Sequence, residues 1–384
     1  MTNAPQVRDH GGGVWSIPVP IPDNPLGHTL VHLLDTDAGP VLIDTGWDDP
    51  DSWQTLVEGL AACGTSVAAL HGVLVTHHHP DHHGLSARVR EESGAWIAMH
   101  AADAAVVRRT RSTDTARWMG YLAEKLAAAG APESHTAPLR KALAEGRGGT
   151  LPGSRAALPD REIEPGALLP LPGRRLRAIW TPGHTPGHVC LHLEERHPGA
   201  AARSGAALGQ KSGAALGQET RAGLGQESGA GRERGGHGRL FSGDHLLPTI
   251  TPHIGLYEDP DSDEVTDPLG DYLDSLERIG RLRPAEVLPA HQYAFDDAEG
   301  RVNELTAHHA ERLSDLRALL SERSLTPWQL AESMQWNRPW ADIPYGSRNI
   351  AVSEAEAHLR RLVKLGHAEP VPDSDPVTYQ ATDT

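Results

Sequence analysis

Apolar residues follow two rhythms along this chain. In the first hundred positions they form short β-branched runs. Val14 to Leu33 and Val41 to Ile43 read as opening strands, Gly72 to Thr76 (GVLVT) as a buried strand, and Trp96 to Met99 as a strand leading to His100. Ser52 to Ala62 reads as a helix. Residues 101 to about 147 switch to Ala, Leu, Arg and Glu at helical spacing, the pattern of a helical insertion. Arg108, Arg109 and Arg111 fall there and read as a solvated helix face, with a phosphate or carboxylate contact as the alternative.

The strand rhythm then returns. Cys190-Leu191-His192-Leu193 and Leu240-Phe241-Ser242 should form a hairpin, which residues 197–238 interrupt. The interruption carries Ser204-Gly205-Ala206-Ala207-Leu208-Gly209-Gln210 and its near copy Ser212-Gly213-Ala214-Ala215-Leu216-Gly217-Gln218. It is Gly-rich and lacks aromatic residues, so it is expected to be a disordered insertion without a catalytic role. Residues 246–270 read as a long loop, with His253 and Tyr257 as candidate substrate contacts.

A flexible tail is expected at 1–13, the main body at 14–300 and a separate unit at 301–384. In that unit Arg301 to Glu322 reads as a long helix. Thr326 is an N-cap with Pro327 at the first helical position of a second helix, to about Met334. Ser353 to Leu365 reads as a third, stopped by Gly366, and His367–Val371 with Val377–Ala381 as a terminal hairpin.

Composition narrows the partners. The chain has 384 residues and a net charge of −16, which disfavours nonspecific binding to nucleic acid and to anionic membranes. Cys63 and Cys190 read as packing residues and not as a disulfide pair. The first residues show no basic-then-apolar signal segment and no run is long enough to span a bilayer, so a cytoplasmic enzyme is expected.

The chemistry concentrates in four segments: Thr76-His77-His78-His79-Pro80-Asp81-His82-His83-Gly84, Thr181-Pro182-Gly183-His184, Ser242-Gly243-Asp244-His245 and Leu288-Pro289-Ala290-His291. The first follows a buried strand, where α/β sheets place their sites. His77 and His79 are two apart and point to one side of an extended loop. Pro80 then redirects the backbone, so Asp81 and His82 can face a second point nearby. The four segments together supply imidazoles and carboxylates suited to two divalent metals.

These residues resemble the metallo-β-lactamase superfamily. His77, His79, Asp81 and His82 stand where that family has its HxHxDH motif. His184, Asp244 and His291 match the later ligands in order over roughly 14–300. Asp44, in LIDTG, matches a family aspartate that supports the ligands without binding metal. The resemblance implies an α/β fold: an αββα metallo-β-lactamase sandwich of two mixed sheets with a small C-terminal winged-helix-like domain, as in the subgroup that includes the β-lactamase-like protein 2 group. It implies that His77, His79 and His184 hold metal 1, that Asp81, His82 and His291 hold metal 2, and that Asp244 bridges them. Zinc, iron and manganese all suit the set.

The activity implied is that of a dinuclear metal-dependent hydrolase. A metal-bridging hydroxide would attack a small acyl substrate, a thioester first, with Asp81 and Asp244 as the catalytic carboxylates. A phosphodiesterase or ribonuclease is the alternative, and a noncatalytic regulator a third. His78, His83, His188 and His245 are expected to support neighbouring ligands or the fold. The C-terminal unit is expected to wall one side of the site or form a homo-oligomer interface, and not to read DNA.

Overall fold

A computed structural model of the protein describes residues 6–113, 115–146, 151, 153–195, 237–257 and 265–382. The expected disordered insertion at 197–238 lies outside the described residues, except for His237 and Gly238.

Two mixed sheets carry the main body. The first runs in order β1 (Arg8–Asp9), β2 (Val14–Pro20), β3 (His28–Leu34), β4 (Val41–Ile43), β5 (Gly72–Leu74), β6 (Trp96–Met99) and β7 (Arg161–Glu162). The pairing is antiparallel from β1 to β4 and parallel from β4 to β7. The second sheet holds β8 (Leu176–Trp180), β9 (Val189–Leu193), β10 (Arg239–Gly243) and β11 (Glu286–Pro289) in the order β11-β10-β9-β8. Only β10 and β11 are parallel there.

Strand alternation divides the apolar residues between two layers. Leu34, Val41, Ile43 and Leu74 face Leu191, Leu193, Phe241 and Leu288 across the sandwich. Leu33, Leu42 and Val73 point the other way, onto Trp53, Leu56 and Leu60 of α1 (Pro50–Ala62) and Val89 of α3 (Ser86–Ser93). Burying each such side chain contributes roughly 1.5–3 kcal/mol. On the far side of the second sheet, Cys190, Leu240 and Val287 pack on Tyr272 and Leu276 of α7 (Pro268–Gly280) and Leu305 of α8 (Ala298–Glu322). Helix, sheet, sheet and helix layers make the αββα sandwich.

Among the described residues, three helices stand between β6 and β7: α4 (Ala101–Ser112), α5 (Thr115–Ala128) and α6 (Glu133–Ala144). The C-terminal unit adds α9 (Pro327–Ser333), α10 (Arg348–Lys364) and the antiparallel pair β12 (Ala368–Pro370) and β13 (Tyr379–Ala381). Thr326 and Gln329 form a full capping box at the start of α9. The unit is joined to the helical insertion by a shared core: Leu126 and Ala129 pack with Leu316, Leu320, Trp328, Leu330, Val352 and Leu359. The Ala129 carbonyl also accepts from the Trp328 backbone N–H at 2.8 Å.

Three expectations change. Residues 8–9, expected in the tail, pair with β2, and Arg239 donates to the Gly11 carbonyl at 2.9 Å, which fastens this stretch. The loop expected to 270 ends at Asp267, whose side chain accepts from the Gly270 N–H and caps α7, with Pro268 in its first turn. The third C-terminal helix begins at Arg348, not Ser353, because a 3-10 turn at Tyr345–Ser347 leads straight into it. No helix among the described residues is long and apolar enough to cross a membrane.

Candidate metal centre

β5 ends at Leu74 and the chain leaves the sheet as an extended loop before α2 (Pro80–His83), which His79 precedes as N-cap. Two clusters of donor atoms form there. His77, His79, His184 and Asp244 make one; Asp81, His82 and His291 make the other.

In the first cluster the Nε2 of His77 lies 3.0 Å from Nδ1 of His79. The Nε2 of His184 is 3.2 Å from the former and 3.0 Å from the latter. Each ring has its other nitrogen occupied. His77 Nδ1 donates to Thr76 Oγ1 at 3.1 Å, His79 Nε2 to the Tyr257 hydroxyl at 2.5 Å and His184 Nδ1 to the His253 carbonyl at 2.7 Å. The outer nitrogens carry the protons, so three lone pairs converge. Lone pairs at this spacing repel unless a cation lies among them. Burial, reinforced by neighbouring histidines, pushes His77 and His79 well below the ordinary imidazole value. Burial lowers His184 to about 4, against the pull of Asp244. All three are therefore neutral donors at physiological pH.

The second cluster follows the same rule. His82 Nδ1 donates to Asp44 Oδ2 at 2.8 Å, and His291 Nδ1 to the His28 carbonyl at 3.0 Å. Their Nε2 atoms are buried and face Asp81 Oδ2 at 3.4 and 3.3 Å. Burial opposes charge on His291, but Asp244 and Asp81 outweigh it and raise its pKa to about 10. This cluster demands positive charge. Asp244 turns one oxygen to each cluster: Oδ1 lies 3.2 Å from His291 Nε2 and 3.4 Å from His82 Nε2, while Oδ2 lies 3.5 Å from His184 Nε2. The residues present therefore fit divalent cations at both points, with Asp244 between them.

Supporting residues explain the geometry. Asp44 sits at φ +63°, a strained conformation for a non-glycine residue. It accepts from the Thr76 N–H at 2.8 Å and from Thr76 Oγ1. His188 accepts the Asp244 N–H at 3.2 Å. His83 and His245 are fully buried, and burial lowers both to about 3, so they pack as neutral rings. Gly183, at φ +134°, lets the His184 loop lie against α7; a Cβ there would stand 2.4 Å from that of Tyr272.

Sequence reasoning missed Asp103. Buried in α4, it accepts from the His78 N–H (2.8 Å) and His78 Nδ1 (3.0 Å). It also accepts from Thr185 Oγ1 (2.8 Å) and the Gly187 N–H (2.6 Å). One carboxylate thus ties the histidine loop to the loop of His184. Burial alone would raise its pKa, but His78 and the other donors carry it well below the carboxylate range. The only sequence signal was an acidic residue in a helix's first turn, which is commonplace. Arg108 and Arg111 are exposed and Arg109 partly so, all outside both clusters.

A cleft of about 200 Å³ adjoins this centre. Trp118, Tyr121 and Leu122 of α5, Ile350 and Val352 of α10, and His253, Gly255, Leu256 and Tyr257 line it. Lys125 and Glu356 also line it.

Residues 24–197 match the family model described as Metallo-beta-lactamase superfamily. Among curated proteins, the chain is 24% identical over 338 residues to a "Probable metallo-hydrolase YqjP" of Bacillus subtilis, covering 84% of each chain. It is 24% identical over 207 residues to a "Beta-lactamase-like protein 2 homolog" of Caenorhabditis elegans, covering 54% of this chain and 51% of that protein. Among solved structures, a metallo-beta-lactamase family protein from Thermus thermophilus matches at TM-score 0.69 and 26% identity, covering 96% of this chain and 99% of that one. A beta-lactamase domain protein from Burkholderia ambifaria matches in fold at TM-score 0.73 and 22% identity, covering 99% of this chain and 97% of that one.

Proposed function

The chain carries a metallo-β-lactamase superfamily domain and is a metal-dependent hydrolase, and from that premise we propose that it hydrolyses a small acyl thioester. The single observation that carries the substrate class is the cleft. It is mostly apolar and aromatic, and its wall residues Tyr257 and His253 are also the partners of His79 and His184. An acyl chain suits such a lining. A phosphodiester polyanion does not: Lys125 is the one basic lysine or arginine among the lining residues, it shares the cleft with Glu356, and the whole chain carries −16.

In this reading His77, His79 and His184 would hold one ion and Asp81, His82 and His291 a second, with Asp244 between the two donor sets. Two divalent ions there supply a Lewis acid for the carbonyl oxygen and acidify water toward neutral pH. Zinc fits the imidazole-rich set, and iron or manganese would fit the same ligands. Thr29 Oγ1 donates to Asp81 Oδ2 at 3.1 Å and fixes that carboxylate. Burial opposes its charge, yet His82 and His291 keep Asp81 ionised, so it would orient the attacking water. Tyr257 is a poor acid for the leaving group, because burial drives its pKa upward. A thioester suits a centre of this kind, since a thiol near pKa 8.5 leaves as thiolate without a proton.

The test is thiol release from a panel of acyl thioesters by metal-loaded protein, with Asp81→Ala alongside. Turnover that disappears in the variant is the expected result. Release by Asp81→Ala at the wild-type rate would refute the mechanism. No release from any thioester would transfer the reading to phosphodiesters, with a short single-stranded RNA as the next substrate.

A further inference from the structure

Two adjacent residues of α10 reach into the loop that orients the first donor cluster. Glu354 Oε2 lies 3.1 Å from His253 Nδ1, and its other oxygen is 3.3 Å from Arg312 of α8. Ser353 Oγ accepts from the Leu256 N–H at 2.8 Å. The loop so held, His253 to Tyr257, presents the carbonyl that receives His184 Nδ1–H and the hydroxyl that receives His79 Nε2–H. Two of the three imidazoles of the cluster are therefore aimed by a segment of only five residues. Fixing the outer hydrogen bond of a ligating imidazole fixes its tautomer and ring orientation, and loss of such partners weakens metal binding by about 10–100-fold.

We infer that Glu354 and Ser353 are positioning residues of the metal centre, which makes the C-terminal unit a working part of the site at His77, His79 and His184. This rests on reading those three histidines as ligands. The consequence is selective. Loosening the loop frees His184 and His79 to rotate, while His82 and His291 keep their partners Asp44 and the His28 carbonyl. The cleft shares the same loop, so its occupant touches the segment that aims the ligands.

The test is zinc titration of metal-free, full-length protein against a chromophoric chelator. Wild type is compared with Ser353→Ala, Glu354→Gln and Arg361→Ala. Arg361 is the control: it pairs with Asp267 at 2.8 Å from the same helix and does not touch the loop. Ser353→Ala should weaken one class of zinc site about fivefold, the scale of one hydrogen bond. Glu354→Gln should weaken it more, toward about tenfold, and Arg361→Ala should leave both classes within about twofold, below a hydrogen bond's worth. Equal weakening in all three would mean general loosening of α10 and would overturn the inference, as would unchanged affinity in both Ser353→Ala and Glu354→Gln. If wild type itself takes up no zinc, the ligand reading fails first. Ser353→Ala loses one hydroxyl from a half-buried position, so the outcome does not depend on whether Glu354 variants fold.

Discussion

Asp44 shows how much one residue outside the ligand set can decide. It accepts from His82 Nδ1 and from both donors of Thr76, whose hydroxyl in turn receives His77 Nδ1. One carboxylate thus sets the tautomer of a candidate ligand in each cluster. Asp44→Asn should weaken metal binding by about 10–100-fold with little loss of secondary structure, checked by metal content after dialysis and far-UV circular dichroism. Retained stoichiometry at full affinity would show that Thr76 and the ring packing suffice. The residue scale was also the most legible in the sequence. Metal ligands must come from a few residue types and are spaced by the local backbone, so His77, His79, Asp81 and His82 announce themselves as candidates, and their donor atoms do cluster. Asp103 does not, because its partners Thr185 and Gly187 are over eighty residues away and nothing local marks the pairing.

At the scale of elements, strands and capped helices were readable wherever the pattern was local. The Asp267-Pro268 start of α7 carried an N-cap and a first-turn proline, but lay at the end of a Pro- and Gly-containing stretch that masked it. The third C-terminal helix was expected from Ser353, but that residue lies inside it and its hydroxyl serves the Leu256 N–H, a contact that only tertiary structure reveals. The attachment of α10 should respond to acid. Burial works against ionised Glu354, yet His253 and Arg312 hold its pKa at about 2, below the ordinary 4.5. A carboxyl lowered on folding stabilises the fold above its unfolded pKa, and this contribution is lost as pH falls from about 4.5 through about 2. The shift corresponds to roughly 3 kcal/mol. Stability measured from pH 6 down to pH 2 should fall less steeply in Glu354→Gln than in wild type. Parallel curves would show that Glu354 is not linked to folding in this range.

For the molecule as a whole, the repetitive stretch between β9 and β10 should be dispensable. These strands pair directly, Arg239 with Leu193 and Phe241 with Leu191, so a short turn can join them. Removing residues 199–237 should leave the melting temperature and turnover almost unchanged, and loss of metal from that deletion would show that the segment supports the centre. The sequence located this stretch by its repeats. It could not show that α5 and the C-terminal unit share a core, because helical periodicity reveals that a face is apolar and not what covers it.

That shared core also sets an order of events. Leu126 and Leu330 lie about 200 residues apart along the chain, so their contact closes a long loop, although that of His28 with His291 closes a longer one. Such closures come late in folding, since chain entropy must be lost before any contact rewards it. The loop of His253 to Tyr257 is fastened to α10, which shares this core, so on the inference above His184 and His79 would reach their final orientation only once α10 has docked. During synthesis, a chain stopped short of Arg348 would have all seven candidate ligands and still grip its first ion poorly. Metal capture then reports completed folding, and a cell that rations the metal would spend it only on finished copies.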